Sequence, residues 1–268
     1  MVDENAGQKR PLRVVMFGSG PSLTPDARRF LCRLEAHPDI ALLGAFCQAE
    51  SQSFWAVFKD LRQRRGILTL PLFSIWMVRS VSPYITRPGA KLELRKCLGR
   101  MKDKIHFVVD IHAQDVLDKV RSLSPDLGLI YGSPILKPAL FEIPKLGTLG
   151  IHHGKLPKYR GNKTMFWAMY HDEAAAGVTI QKVNVGLDTG LIVKEGSVPI
   201  GCRSQPAVWR DLETLGLNLY LQAILEVKDG TAQYHPQEGN GGKLYRNPKL
   251  SDIIHFWKKQ LAKRFRGK

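Results

Sequence analysis

Gly150-Ile151-His152-His153-Gly154-Lys155-Leu156-Pro157-Lys158-Tyr159-Arg160-Gly161 is the stretch on which the fold turns. An apolar strand, Leu146 to Ile151, runs into it and leaves His152 at the strand's carboxyl end. Gly154, Pro157 and Gly161 then break regular structure. A second stretch, Val185-Gly186-Leu187-Asp188-Thr189-Gly190, sets a carboxylate in a glycine-flanked turn 36 residues after His152. In an open α/β sheet, ligands bind beyond the carboxyl ends of the strands. An imidazole and a carboxylate on that one edge are enough to move a proton at an amine.

Outward from this stretch the chain alternates strands and helices. Leu12 to Phe17 reads as a strand that ends in Gly18-Ser19-Gly20, and Pro25 is placed to open a helix carrying Phe30, Leu31 and Leu34. Ile40 to Cys47 is a second buried strand. His106 to Asp110 and Leu127 to Tyr131 are further strands, separated by a helix over Ala113 to Leu123. Lys137 to Phe141 is a short helix and Asn162 to Tyr170 another. Gly177 to Val183 and Leu191 to Val198 form a hairpin around the Asp188 turn. Pro206 to Val227 is a long amphipathic helix whose apolar side carries Trp209, Leu212, Leu215, Leu219, Leu221 and Ile224. The pattern is α/β.

Two segments stand outside it. Residues 54–104 carry twelve Lys/Arg against three acids and read as a basic helical insertion. Lys243 onward carries nine Lys/Arg, one acid and an apolar stripe (Ile253, Ile254, Phe256, Trp257, Leu261), a basic C-terminal helix. The boundaries that follow are 10–238 for the catalytic unit and 239–268 for the extension.

The net charge of +16 favours an anionic partner: a phosphorylated ligand, nucleic acid or an acidic membrane face. Four scattered cysteines (Cys32, Cys47, Cys97, Cys202) show no zinc spacing, so no metal is expected, and reduced thiols in a cytoplasmic protein are the expectation. The longest apolar run, Ile67 to Val78, is well short of the roughly 20 residues that span a bilayer.

The chemistry in reach is transfer of an acyl or formyl group to an amine. His152 serves as acid and base, and Asp188 raises its basicity and stabilises the imidazolium. Neither motif sets up a serine or cysteine nucleophile, which favours direct transfer. His153 is adjacent, but alternation turns it to the other side. The Gly18-Ser19-Gly20 turn can hold a phosphate on backbone N–H groups.

At these residues the chain resembles the folate-dependent formyltransferases, the family of the glycinamide ribonucleotide, methionyl-tRNA and sugar N-formyltransferases. The resemblance rests on Ile151-His152, Leu156-Pro157-Lys158-Tyr159-Arg160-Gly161 and Leu187-Asp188-Thr189-Gly190. Looser echoes are Pro125-Asp126, Gly177-Val178-Thr179-Ile180, Asp229-Gly230 and Pro236-Gln237. It implies a Rossmann-like, open and mostly parallel sheet with helices on both faces, and 10-formyltetrahydrofolate as co-substrate. It implies catalysis by His152 and Asp188. Tyr131, Gly132, Ser133, Pro134, Ile135, Leu136, Asn184, Val185, Gly186 and Leu187 would surround the folate. Gly18, Ser19, Gly20, His153, Tyr159, Arg160 and Asn162 would face the acceptor.

The family's catalytic Asn falls at Gly150, removing an oxyanion donor worth roughly 3–4 kcal/mol. Asn162 and Asn184 are the candidate substitutes. The roughly 30 residues after Gln237 are too few for the tRNA enzymes' barrel, which points to an amine on a phosphate-linked amino sugar. Methionyl-tRNA and glycinamide ribonucleotide remain alternative acceptors, and a peripheral contact with an anionic membrane or lipid-linked acceptor is expected. A folate- or anion-binding protein without turnover is a further alternative, as is a membrane- or RNA-binding protein acting through 54–104 and 243–268.

Overall fold

The computed structural model describes residues 10–19, 24–48, 95–239 and 241–266. Most of the 54–104 insertion, and Gly20 of the phosphate turn, lie outside the described residues.

The strands are β1 (Leu12–Ser19), β2 (Ile40–Gln48), β3 (Ile105–Val108), β4 (Leu127–Tyr131), β5 (Thr148–His152), β6 (Tyr159–Gly161), β7 (Ala175–Lys182), β8 (Leu191–Pro199) and β9 (Lys243–Tyr245). The helices are α1 (Pro25–Glu35), α2 (Gln114–Ser122), α3 (Pro138–Phe141), α4 (Thr164–Tyr170), α5 (Gln205–Asp229) and α6 (Leu250–Arg266). Residues 95–100 are also helical. Seven strands form one sheet in the order β3-β2-β1-β4-β5-β7-β8. The first five are parallel, and β7 and β8 run antiparallel to their neighbours.

The chain steps outward from β1 through β2 to β3, then returns to place β4 against β1 on the other side. A crevice opens beyond the carboxyl ends of the strands at such a reversal. Gly18 is in register with Tyr131 there, and β5 ends one strand further on, at His152.

Helices on both faces explain why β1 is apolar throughout rather than alternating. Val14 and Met16 pack with Phe30, Leu31 and Leu34 of α1 and Tyr220 and Ile224 of α5. Val15 and Phe17 face the opposite way, onto Val116, Leu117 and Val120 of α2 and Leu140 and Phe141 of α3. Each such fully buried large side chain contributes about 2 kcal/mol of transfer free energy. The start of α1 follows from sequence: Thr24 Oγ1 accepts from Ala27 N at 3.2 Å, and Pro25 sits in the first turn, where a missing N–H costs nothing. Tyr220 ties the centre together. Its hydroxyl accepts from Ile130 N at 2.9 Å and donates to Leu149 O at 2.8 Å, bridging β4 and β5.

Three sequence expectations change. Cys32 of α1 and Cys97 form a disulfide, where reduced thiols were expected; a sequence separation of 65 hides that the two helical segments lie side by side. Cys47 is a buried free thiol, its pKa pushed up by burial to about 12. The buried face of α5 holds Leu212 and Ile224 of the expected stripe, with Leu215, Leu219 and Leu221 partly buried, but it is centred on Glu213, Leu217 and Tyr220, and Trp209 is 38% exposed. Third, the segment after 238 returns to the core. β9 pairs in parallel with β6, and α6 docks through Phe256, 2% exposed, against Phe166. Ile254, Trp257 and Leu261 point outward. No described helix is long and apolar enough to cross a membrane.

Candidate active site

His152 ends β5 and is 9% exposed. Its Nε2 lies 2.7 Å from the carbonyl oxygen of Tyr159. A carbonyl only accepts, so Nε2 carries the proton and Nδ1 is the nitrogen that exchanges one. Gly154 makes this approach possible: a Cβ there would stand 2.6 Å from Nε2. Nδ1 lies 3.4 Å from Asp188 Oδ1. Burial pushes the His152 pKa below its ordinary value, and the Asp188 charge and the Tyr159 carbonyl oppose that. The ring is therefore a neutral base at neutral pH, and its protonated form is supported by the carboxylate beside it.

Asp188 sits at φ +52°, the left-handed region that Asp and Asn tolerate best after glycine. Its carboxylate is held on both oxygens: Oδ2 accepts from Gly161 N at 2.8 Å and Oδ1 from Gln181 Nε2 at 3.2 Å. Gln181 Oε1 accepts in turn from Gly190 N at 3.1 Å. Gln237 Nε2 donates to the carbonyls of Asp188 and Gly190 at 3.1 and 2.9 Å. Gly190 has no room for a side chain, since a Cβ would fall 1.8 Å from Lys182 O.

Two cavities meet at His152. One, of about 480 Å³, is lined by Gly132 to Leu136, Gly150, Gln181, Val183 and Asn184 to Asp188. The other, of about 930 Å³, is lined by Thr24, Asp26, Tyr131, His153, Lys163, Gln205, Trp209 and Asn247 among others. Gly132, Ile151, His152, Gly161 and Asn162 border both.

Nine of the ten residues expected around the folate line the smaller cavity; Tyr131 lines the larger. Asn184 is occupied within its own loop: Oδ1 accepts from Gly186 N and Thr189 Oγ1, and Nδ2 donates to Thr189 O. It is a clamp, not a spare donor. Asn162 borders both cavities; its backbone N–H donates to Tyr245 O at 2.8 Å, while its side-chain amide has no hydrogen-bond partner among the described residues.

The residues expected on the acceptor's side divide. His153 and Asn162 line the larger cavity. Gly18 and Ser19 end β1 and line neither cavity, and the Ser19 hydroxyl donates to the carbonyl of Gly132, which borders both. Arg160 is instead committed to the loop, its Nε and guanidinium nitrogen donating to Leu187 O at 3.0 and 2.6 Å. Tyr159 lies away from both, 4% exposed, with its hydroxyl on Glu173 at 2.8 Å and its ring stacked on Tyr245. Both residues hold the histidine loop in place.

Sequence reasoning missed Gln181, Asp26 and Glu213. Gln181 was detectable as a polar residue two positions after Thr179, on the same side of a strand that is otherwise small or apolar up to that point. Glu213 was detectable as an acid inside the apolar arc of α5. It is 4% exposed, accepts from the Tyr131 hydroxyl, and faces His153 Nε2 at 2.7 Å. Burial alone would raise its pKa, but His153 and Tyr131 outweigh that and hold it below the ordinary value. Asp26 is pushed upward by burial and by the Glu213 charge.

Residues 103–224 match the family model described as formyl transferase. The chain is 31% identical over 156 residues to a methionyl-tRNA formyltransferase of Syntrophus aciditrophicus, covering 56% of this chain and 50% of that protein. It is 26% identical over 250 residues to that of Synechocystis, covering 92% of this chain and 65% of the relative. Among solved structures, a sugar N-formyltransferase from a Shewanella species superposes with TM-score 0.58 at 14% identity, over 91% of this chain and 86% of that one. Glycinamide ribonucleotide transformylase 1 from Symbiobacterium toebii gives TM-score 0.56 at 14% identity, over 86% and 96%. The structural matches establish the fold. The chain spans about half the length of the first of these relatives.

Proposed function

With residues 103–224 assigned to the formyl transferase family, we propose that this protein is a formyltransferase. It moves the formyl group of 10-formyltetrahydrofolate to a primary amine. The observation that carries the reading is the His152–Asp188 pair at the junction of two cavities, so that a donor in one and an acceptor in the other meet at a single base.

The smaller cavity fits a flat heterocycle. Ile135, Leu136, Val183, Val185 and Leu187 give it apolar walls, and the 132–136 and 184–188 loops give it backbone polar groups. The formyl-bearing end would lie toward His152. There Nδ1 takes the proton that the attacking amine loses and returns it to the departing nitrogen, and Asp188 stabilises the imidazolium between the two transfers. With glycine at 150, the Asn162 amide is the side-chain donor at the junction for charge on the formyl oxygen.

For the acceptor we favour an amine on a phosphate-linked amino sugar. Lys163 on the wall of the larger cavity and the chain's net charge of +16 support this, since both suit a phosphate. A methionyl-tRNA acceptor is the second reading, favoured by the curated relatives and the charge of +16. Purified protein with 10-formyltetrahydrofolate and a panel of amino-sugar nucleotides and charged initiator tRNA should release tetrahydrofolate with one of them. No release from any acceptor, together with no folate binding by calorimetry, overturns the proposal.

A further inference from the structure

β5 ends at His152, His153 follows it directly, and each histidine faces a carboxylate of its own. His152 pairs with Asp188; His153, turned to the other side of the strand, lies 2.7 Å from Glu213. The second pair is built into secondary structure. Glu213 is buried within α5 and is further held by the Tyr131 hydroxyl at the end of β4. The His153 ring packs on Trp209 with centroids 4.6 Å apart, and its carbonyl accepts from Thr164 Oγ1. His153 lines the larger cavity together with Tyr131, Asp26 and Trp209, but not the smaller one.

This geometry sets the chemistry. Glu213 is an acceptor, so the nitrogen that faces it, Nε2, bears a proton; Nδ1 is then the site that takes a second one. The charged and titratable groups acting on the ring are Glu213 from α5, Asp26 from α1 and His152 at the end of β5; Arg29 of α1 and Tyr131 of β4 act in turn on Glu213. Asp26 lines the cavity beside His153, with Lys163 as the cation on its wall, and the Glu213 carboxylate lies buried behind the His153 ring. The pairing of His152 with the donor leaves unassigned the proton that a primary amine carries at neutral pH.

We propose that His153, oriented by Glu213, is a second proton acceptor, which converts an acceptor arriving as an ammonium ion into the free amine. The inference rests on the formyltransferase reading above. The ammonium N–H bond breaks toward His153 Nδ1, its electron pair becomes the nucleophilic lone pair, and the proton then leaves from the imidazolium to solvent. The amine's remaining mobile proton passes through His152 to the departing nitrogen. Glu213 is a positioning residue in this scheme.

The test is the pH dependence of tetrahydrofolate release, with the acceptor that turns over in the panel, for wild type, His153→Gln and Glu213→Gln. At pH 7, His153→Gln should lower kcat/KM about 100-fold. The deficit should shrink tenfold per pH unit and close above the pKa of the acceptor amine, where no base is needed. Glu213→Gln, which keeps the shape and the Tyr131 partner, should move the profile the same way by less. Both variants should bind folate as wild type does. A loss equal at every pH, or no loss, overturns this inference while leaving formyl transfer standing. A wild type inactive with every acceptor overturns both.

Discussion

The two cavities that share His152 are built differently. The smaller is made of loops: backbone at 132–136 and 184–188 with apolar side chains between, and its polar side chains are spent on the loops themselves. Asn184 closes on Thr189, and Arg160 and Gln237 hold carbonyls. The larger is made of side chains carried on or beside helices and strands: Asp26 on α1, Tyr131 on β4, His153 just after β5 and Trp209 on α5, with Glu213 of α5 buried behind Tyr131 and His153. The loop side presents shape and backbone groups to a flat, weakly charged ligand. The helix side presents charge and aromatic surface to a ligand that brings its own charge. A transferase with one constant donor and a class-specific acceptor requires that division.

The contrast also decides what a reader of the sequence sees. The loop side is contiguous, so Leu156 to Gly161 and Val185 to Gly190 disclose it directly. The order of strands and helices was equally legible, because an α/β frame repeats apolar runs at strand and helix length. The helix side was not legible. Its residues are scattered from 24 to 247, and the pairing of Glu213 with His153 exists only once α5 lies across β4 and β5. The Cys32–Cys97 bond was hidden for the same reason.

If the division holds, substitutions should separate by cavity. Largest is the shared base: His152→Ala should cut kcat/KM about 10³-fold for every acceptor while leaving folate affinity intact, checked by steady-state kinetics and calorimetry. Asp188→Asn should cost about 10²-fold. It should also move the acidic limb of the kcat/KM profile to lower pH, because Asp188 raises the imidazole pKa against the burial that lowers it. Asn162→Ala should follow, lowering kcat roughly tenfold or more with little change in either KM, as expected of a donor used only in the transition state. Smaller again is Gln237→Ala, which removes two donors from the Asp188 loop. It should raise KM for the folate about tenfold and leave KM for the acceptor unchanged. A fall in acceptor affinity of the same size would break the division between the cavities.

On the proposed mechanism, donor and acceptor meet at His152, between two separately built cavities. A single-turnover measurement on His152→Ala tests it most directly. The variant should bind 10-formyltetrahydrofolate with wild-type affinity and release tetrahydrofolate at least 100-fold more slowly when the acceptor is added. Unchanged release, or folate affinity lost in step with release, contradicts it.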